Sequence, residues 1–146
     1  MKIAKEYRWE MGHRLLFHKG LCRNLHGHSY KMMVEITGTL NRQGMVIDFF
    51  DLNMIVKPII DKYDHAFLCW ENDKKLKDFL IKNKMKRLFV GYQSTVENIC
   101  KDLIEIIGNR LQKVKNAHIE EITIKIFETP NAYAEFSKIL SKGFVL

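Results

Sequence analysis

The chain has 146 residues, 47% hydrophobic and 28% charged, with 24 lysines and arginines against 17 acids for a net charge of +7. That length suits one domain with a real core, so a single domain over residues 1–146 is expected. No apolar run approaches the ~20 residues that a membrane helix needs, and the first residues read straight into a strand without an apolar signal core, so a cytoplasmic location is expected.

The first strand is expected over Lys2 to Gly12, with Ile3, Tyr7, Trp9, Met11 and His13 at odd positions against Ala4, Glu6, Arg8 and Glu10. A loop holding Gly20 and Cys22 leads to a second strand, about His26 to Leu40. Extended backbone puts residues two apart on one face. His26 and His28 thus share a face with Tyr30, Met32, Val34 and Ile36, while Ser29, Lys31, Glu35 and Thr37 lie opposite. Paired as a hairpin, these strands bring His13, His26 and His28 together near the loop end. Three imidazole ligands at about 2.0–2.1 Å leave one position of a tetrahedral zinc ion open, the pattern of a catalytic site. An isolated His-x-His is more often a turn with surface histidines; His13 and nearby Cys22 tip the balance towards zinc. Cys22 is placed to be a fourth ligand, a nucleophile or a base. Three cysteines at irregular spacing do not make a disulfide framework.

Asn41 to Gly44 reads as a turn, and the apolar run Met45 to Phe50 either extends the sheet or leads into a helix. That helix is expected over Asp51 to Lys62, with Leu52, Ile55, Val56, Ile59 and Ile60 on one stripe and Pro58 inside it. Asp64 and His65 follow its end, where they can serve simply as a helix terminus favoured by a cationic histidine. Between Asp73 and Arg87 seven basic residues face two acids. This segment holds a short charged helix, Lys75 to Lys84, and an extended piece, Arg87 to Val90. It reads as a solvated face, and without a recognition helix or RNA-binding aromatic motif no nucleic-acid partner is expected. Cys69, beside Trp70 in an expected loop, receives no role. Ser94-Thr95-Val96-Glu97 matches a capping box, opening a helix to about Val114 that buries Cys100. Two further strands, Ile119 to Glu128 and Ala132 to Ile139, close the chain. Glu128 ends a row of isoleucines, where an unpaired carboxylate is costly and a partner or ligand is implied. The order β-β-α-α-β-β gives an α+β domain, a four-stranded antiparallel sheet with two helices on one face. Its other face is left for solvent or a neighbouring chain.

His13, the C-x-x-x-H-G-H motif of Cys22 to His28, Asp64-His65, Ser94-Thr95-x-Glu97-Asn98 and Glu128-Thr129 together resemble the 6-pyruvoyltetrahydropterin synthase superfamily, in that order and over nearly the whole chain. The short gap between Cys22 and His26 resembles the 6-carboxytetrahydropterin synthase branch, which serves queuosine and deazapurine biosynthesis. A dihydroneopterin-phosphate aldolase branch carries glutamate where Cys22 stands. One departure is Ser94, where the family often has proline. The resemblance implies a tunnelling fold, in which trimers close a barrel from their sheets and often stack into hexamers with active sites between subunits. It implies 7,8-dihydroneopterin triphosphate as substrate and 6-carboxy-5,6,7,8-tetrahydropterin, acetaldehyde and triphosphate as products. It also implies zinc on His13, His26 and His28, with Cys22 as general base and Asp64 with His65 as a second acid/base pair. Glu128 then accepts hydrogen bonds from the guanidine-like pterin edge, and Ser94 and Thr95 line the pterin pocket. Arg14, Lys19 and Arg23 lie near for the triphosphate. The alternatives are a 6-pyruvoyltetrahydropterin synthase acting on the same substrate, and a non-catalytic zinc-stabilised binding module.

Overall fold

Two long strands carry the architecture of the computed structural model, which describes residues 1–140. Strand β1 (Lys2–His13) pairs antiparallel with β2 (His26–Thr39), in register from Lys2 opposite Thr37 to His13 opposite His26. The alternation works as the sequence dictates: Tyr7, Trp9, Met11 and His13 of β1 are buried with Tyr30, Met32, Val34 and Ile36 of β2. Strand β5 (His118–Thr129) adds antiparallel to the other edge of β2, and β6 (Ala132–Ile139) adds antiparallel to β5.

Helix α1 (Phe49–Tyr63) and helix α3 (Val96–Leu111) lie over one face of this sheet. Leu52, Val56, Ile59 and Ile60 of α1 and Ile99, Leu103, Ile104 and Ile107 of α3 form one core with Val34, Ile36, Ile122, Ile124 and Ile126 of the sheet. Each such side chain contributes about 1.5–3 kcal/mol when fully buried, so the amphipathic stripes rather than helix propensity hold these helices in place. Cys100 sits in this core, as its stripe predicts.

The sheet has six strands rather than the expected four, and the expected short charged helix forms as a third beside the two main helices, among the described residues. The order is β4 (Arg87–Val90), β3 (Ala66–Trp70), β1, β2, β5, β6. The additional unit is β3 (Ala66–Trp70), α2 (Lys74–Lys82) and β4 (Arg87–Val90). Strand β3 runs parallel to β1 through Met11 opposite Ala66 and Gly12 opposite Phe67, and β4 runs parallel to β3. The α+β class stands, with a parallel extension on an antiparallel sheet. Cys69 accordingly lies buried in β3 and not in a loop, packed with Leu76 and Leu80 of α2. Strands of five and four residues show too few alternations to be distinguished from loop by periodicity.

Three boundaries also differ. The run from Met45 does not extend the sheet: Val46 and Ile47 enter the core, and Asp48 caps α1 by accepting from the Phe50 amide at 2.8 Å. Helix α3 is capped by Thr95, whose Oγ1 accepts from the Asn98 amide at 3.3 Å, so the cap falls one residue after the expected Ser94. It ends at Leu111, before the expected Val114. No helix of the described residues is long and apolar enough to cross a membrane.

Candidate metal and substrate site

The hairpin register puts His13 directly opposite His26, and β2 carries His28 two residues further along the same face. The rings of His13, His26 and His28 lie with centroids 4.6, 5.2 and 5.0 Å apart. One ligand nitrogen from each falls within 4.8 Å of the others, a group that can hold a metal ion. Backbone carbonyls decide which nitrogens face the centre. His13 Nδ1 donates to the Ser94 carbonyl at 2.7 Å, and His26 Nδ1 donates to the Asn24 carbonyl at 2.8 Å. Their Nε2 atoms therefore carry the lone pairs, and both are buried without a hydrogen-bond partner among the described residues. Buried polar atoms without a partner are uncommon, and a metal ion is what two converging imidazole lone pairs beside a third suit.

The electrostatics agree with neutral ligands. Burial drives the His13 imidazole down to about 4, helped by His26 and His28 and only partly opposed by the Ser94 carbonyl. His28 is lowered as well, by burial first, against the pull of Glu128. In the metal-free chain this has a consequence for stability. An unfolded His13 takes up a proton near 6.5 while the folded one stays neutral to about 4, so acid favours unfolding. We expect the metal-free protein to lose on the order of 3 kcal/mol as pH falls from about 6.5 to 4, with full stability above that window. Urea unfolding at both ends of the window checks this; a His13→Gln protein should show the smaller fall.

Glu128 reaches this centre from β5. Its Oε1 lies 3.5 Å from His13 Nε2 and 3.6 Å from His28 Nε2, and accepts from the Tyr30 hydroxyl at 3.3 Å. Tyr30, 1% exposed, is stacked on Trp9 with centroids 5.3 Å apart. Burial and the Glu128 carboxylate push its phenol well above the ordinary range, so Tyr30 stays a donor. Sequence periodicity takes Tyr30 as one more apolar core residue; its opposition to Glu128 across β2 and β5 becomes legible only once the register is known.

Cys22 lies in a single 3₁₀ turn, Leu21–Arg23, of the loop joining β1 to β2. Its carbonyl accepts from the Leu15 amide at 2.8 Å, which folds the loop back on its own stem. It is half-buried, whereas Cys69 and Cys100 are buried, their thiols pushed up to about 11 by desolvation. The accessible thiol is therefore the one beside the histidine hairpin. Its sulfur is outside the histidine group that can hold a metal.

Ser94 and Thr95 are near, but turned inward. Ser94 is 1% exposed, with its carbonyl on His13 and its hydroxyl on the Arg14 carbonyl, and Thr95 caps α3. Arg14, one of the cations near the loop, is committed to Asp73, with Nε to Oδ2 at 2.6 Å and Nη2 to Oδ1 at 2.7 Å.

Asp64 and His65 stand outside the histidine group that can hold a metal. Asp64 ends α1, and its carboxylate accepts from the Glu10 amide at 2.9 Å and pairs with His65 Nδ1 at 3.0 Å. The Glu10 hydrogen bond, more than His65, holds this carboxyl below its usual range. His65 has a left-handed backbone, φ +55, which turns the chain into β3. It lines an open cleft of about 450 Å³ whose wall includes Glu10, Gly12, Gly27, Ser29 and Lys86 and also Met11 and His28. Glu10, Gly12, Gly27 and Ser29 have the opposite parity to His13 and His26, so the cleft of His65 lies mainly on the other face of the sheet, with His28 the one imidazole of the histidine group that borders it.

A family model described as 6-pyruvoyl tetrahydropterin synthase matches residues 2–138. The 6-carboxy-5,6,7,8-tetrahydropterin synthase of Haemophilus influenzae is 39% identical over 145 residues, covering 94% of this chain and 99% of that protein. The enzyme of the same name from Aquifex aeolicus is 30% identical over 158 residues, covering 94% and 98%. Among solved structures, an uncharacterised protein of Wolinella succinogenes superposes with TM-score 0.78 at 24% identity, covering 93% of this chain and 97% of that one. The 6-pyruvoyl tetrahydropterin synthase of Plasmodium falciparum superposes with TM-score 0.71 at 22% identity, covering 95% and 98%.

Proposed function

Given that this chain belongs to the 6-pyruvoyl tetrahydropterin synthase family, we propose that it is a zinc-dependent 6-carboxytetrahydropterin synthase. It would convert 7,8-dihydroneopterin triphosphate and one water to 6-carboxy-5,6,7,8-tetrahydropterin, acetaldehyde and triphosphate, and so serve queuosine and deazapurine biosynthesis in the cytoplasm. The observation that carries the metal is the pair of buried, unpartnered Nε2 atoms of His13 and His26 beside His28. The names of the relatives at 39% and 30% identity support the carboxy product over the pyruvoyl one.

Zinc held by these three imidazoles would supply a Lewis acid that polarises the substrate's side-chain oxygens. Cys22 Sγ, on the loop beside them, takes the proton from the adjacent side-chain carbon and returns it. The Glu128 carboxylate, held by the Tyr30 hydroxyl, accepts from the N–H groups of the pterin's guanidine-like edge. Ser94 and Thr95 shape this pocket through the loop they hold, one buried against His13 and the other capping α3. His65, oriented by the ionised Asp64, exchanges a second proton. Because most of the cleft around His65 belongs to the face of the sheet opposite His13 and His26, His65 would serve the site of a neighbouring copy in a trimer or hexamer, so that two copies complete one active site.

The test is mass spectrometry of the products after zinc-loaded protein meets 7,8-dihydroneopterin triphosphate. Carboxytetrahydropterin with an equal amount of acetaldehyde is expected. Pyruvoyltetrahydropterin would replace the carboxy reading by the pyruvoyl one. Stably bound zinc with no turnover would overturn both in favour of a zinc-stabilised binding module.

A further inference from the structure

Arg14 follows His13 directly, and its guanidinium forms a two-pronged pair with Asp73, the residue that begins α2. Asp73 is 3% exposed and also accepts from the Leu76 amide at 3.3 Å, so it caps α2 while gripping Arg14. From Arg14 the contacts continue inward. Its carbonyl accepts from Ser94 Oγ at 3.3 Å, and the Ser94 carbonyl accepts from His13 Nδ1 at 2.7 Å. The contacts thus form a closed circuit that begins and ends at the 13–14 peptide, with the Arg14–Asp73 fork as its outer anchor. Leu15, the next residue, donates to the Cys22 carbonyl, so the same anchor also holds the stem of the cysteine loop.

A buried ion pair is weak evidence for stability, since desolvation offsets much of the attraction and apolar replacements are often as stable. Capping α2 does not require Arg14 either, because an asparagine caps as well as an aspartate. What the pair does that an apolar contact cannot is fix the direction of the Arg14 peptide beside a metal ligand. We propose that the Arg14–Asp73 pair is a positioning device of the metal centre, which holds the Ser94 carbonyl and through it the ring of His13. The inference rests on the reading that the three histidines bind a metal. It gives the β3-α2-β4 unit a function in this chain, as the buttress from which that ring is aimed.

The experiment measures zinc and cobalt(II) affinity of the full chain by chelator competition, together with the visible spectrum of the cobalt(II) form. Partners of metal-bound histidines are worth about 10–100-fold in affinity, and at one remove the low end applies, so Asp73→Asn is expected to weaken binding about 10-fold. That variant keeps the α2 cap and the side-chain volume. Ser94→Ala, which removes only the hydroxyl tether, is expected to weaken binding similarly. The double variant should fall short of the product of the two, because both act on one carbonyl. Leu80→Ala, a cavity in the core of α2 away from this circuit, should lower the melting temperature and leave metal affinity unchanged. Asp73→Asn and Ser94→Ala proteins that bind both metals as tightly as the parent, with the same cobalt spectrum, would overturn the inference. Should the parent itself bind neither metal, it is the metal reading that fails.

Discussion

Replacing Cys22 by alanine is expected to lower turnover by roughly 10²- to 10⁴-fold while the protein keeps its zinc, since that is what a positioned proton-transfer group supplies. The two halves of this outcome come from separate features. The metal would be held by ring nitrogens of His13, His26 and His28, which are placed by the β1–β2 register, with the Ser94 and Asn24 carbonyls orienting His13 and His26, and none of these features involves the cysteine side chain. The sulfur is half-buried on a single turn that the Leu15–Cys22 backbone contact closes, so its removal leaves the loop hydrogen bond intact. Zinc content by atomic spectroscopy and single-turnover kinetics with the pterin triphosphate read the two separately. An alanine variant retaining most of its activity would end the general-base role; loss of zinc with the thiol would make Cys22 a ligand.

Mixing two inactive proteins should restore activity. His65→Ala leaves Cys22 and the histidines whole, and Cys22→Ala leaves Asp64 and His65 whole. If one active site takes its imidazoles and thiol from one copy and its His65 from another, co-assembled chains contain sites with both intact. Random mixing in a closed symmetric ring makes roughly a quarter of all sites complete, and roughly one in three in a mixed trimer. Co-expression with two affinity tags, followed by assay of doubly tagged assemblies, measures the fraction. A mixture as inactive as its parents would place the whole reaction within one chain. The shared arrangement is suggested by the cleft onto which His65 opens: Gly12 and Gly27 line it on the face opposite His13 and His26, and His28 alone of the three imidazoles borders it. The cleft is tight there as well: a Cβ at Gly12 would stand 2.7 Å from Phe67 Cδ2.

The histidine centre was readable without coordinates because strand periodicity is short and strict. Once Trp9, Met11 and His13 alternate, and His26, His28 and Tyr30 alternate, a hairpin brings the three imidazoles to one end of one face, and the register does so. The two main helices were readable for a related reason, their apolar stripes running over several turns. Of the β3-α2-β4 unit, the short charged helix and the extended piece Arg87–Val90 were readable, but β3 and the pairing of both strands into the sheet were not. Ala66–Trp70 is too short to establish a period, and the parallel pairing of the two strands depends on a crossover through α2 that no local pattern announces. The cap of α3 moved by one residue because serine and threonine are adjacent and both cap well; tertiary contact with His13 and Arg14 takes Ser94, leaving Thr95 for the helix. Backbone groups were invisible for another reason. The Ser94 carbonyl that orients His13 has no side-chain signature, and the Asp73 carboxylate that anchors Arg14 reads in sequence as one of two acids in a basic stretch. That Asp64 and His65 stand outside the histidine group follows from which edge of β1 receives β3, a fact of topology and not of motif.

The most direct test of the account is a zinc titration of metal-free protein, with turnover of 7,8-dihydroneopterin triphosphate followed at each addition. Activity should rise linearly and break at one zinc per chain, and a His28→Ala protein should neither bind that equivalent nor turn over. Full activity in the metal-free chain, or an unchanged break point in the His28→Ala protein, would contradict a catalytic metal held by His13, His26 and His28.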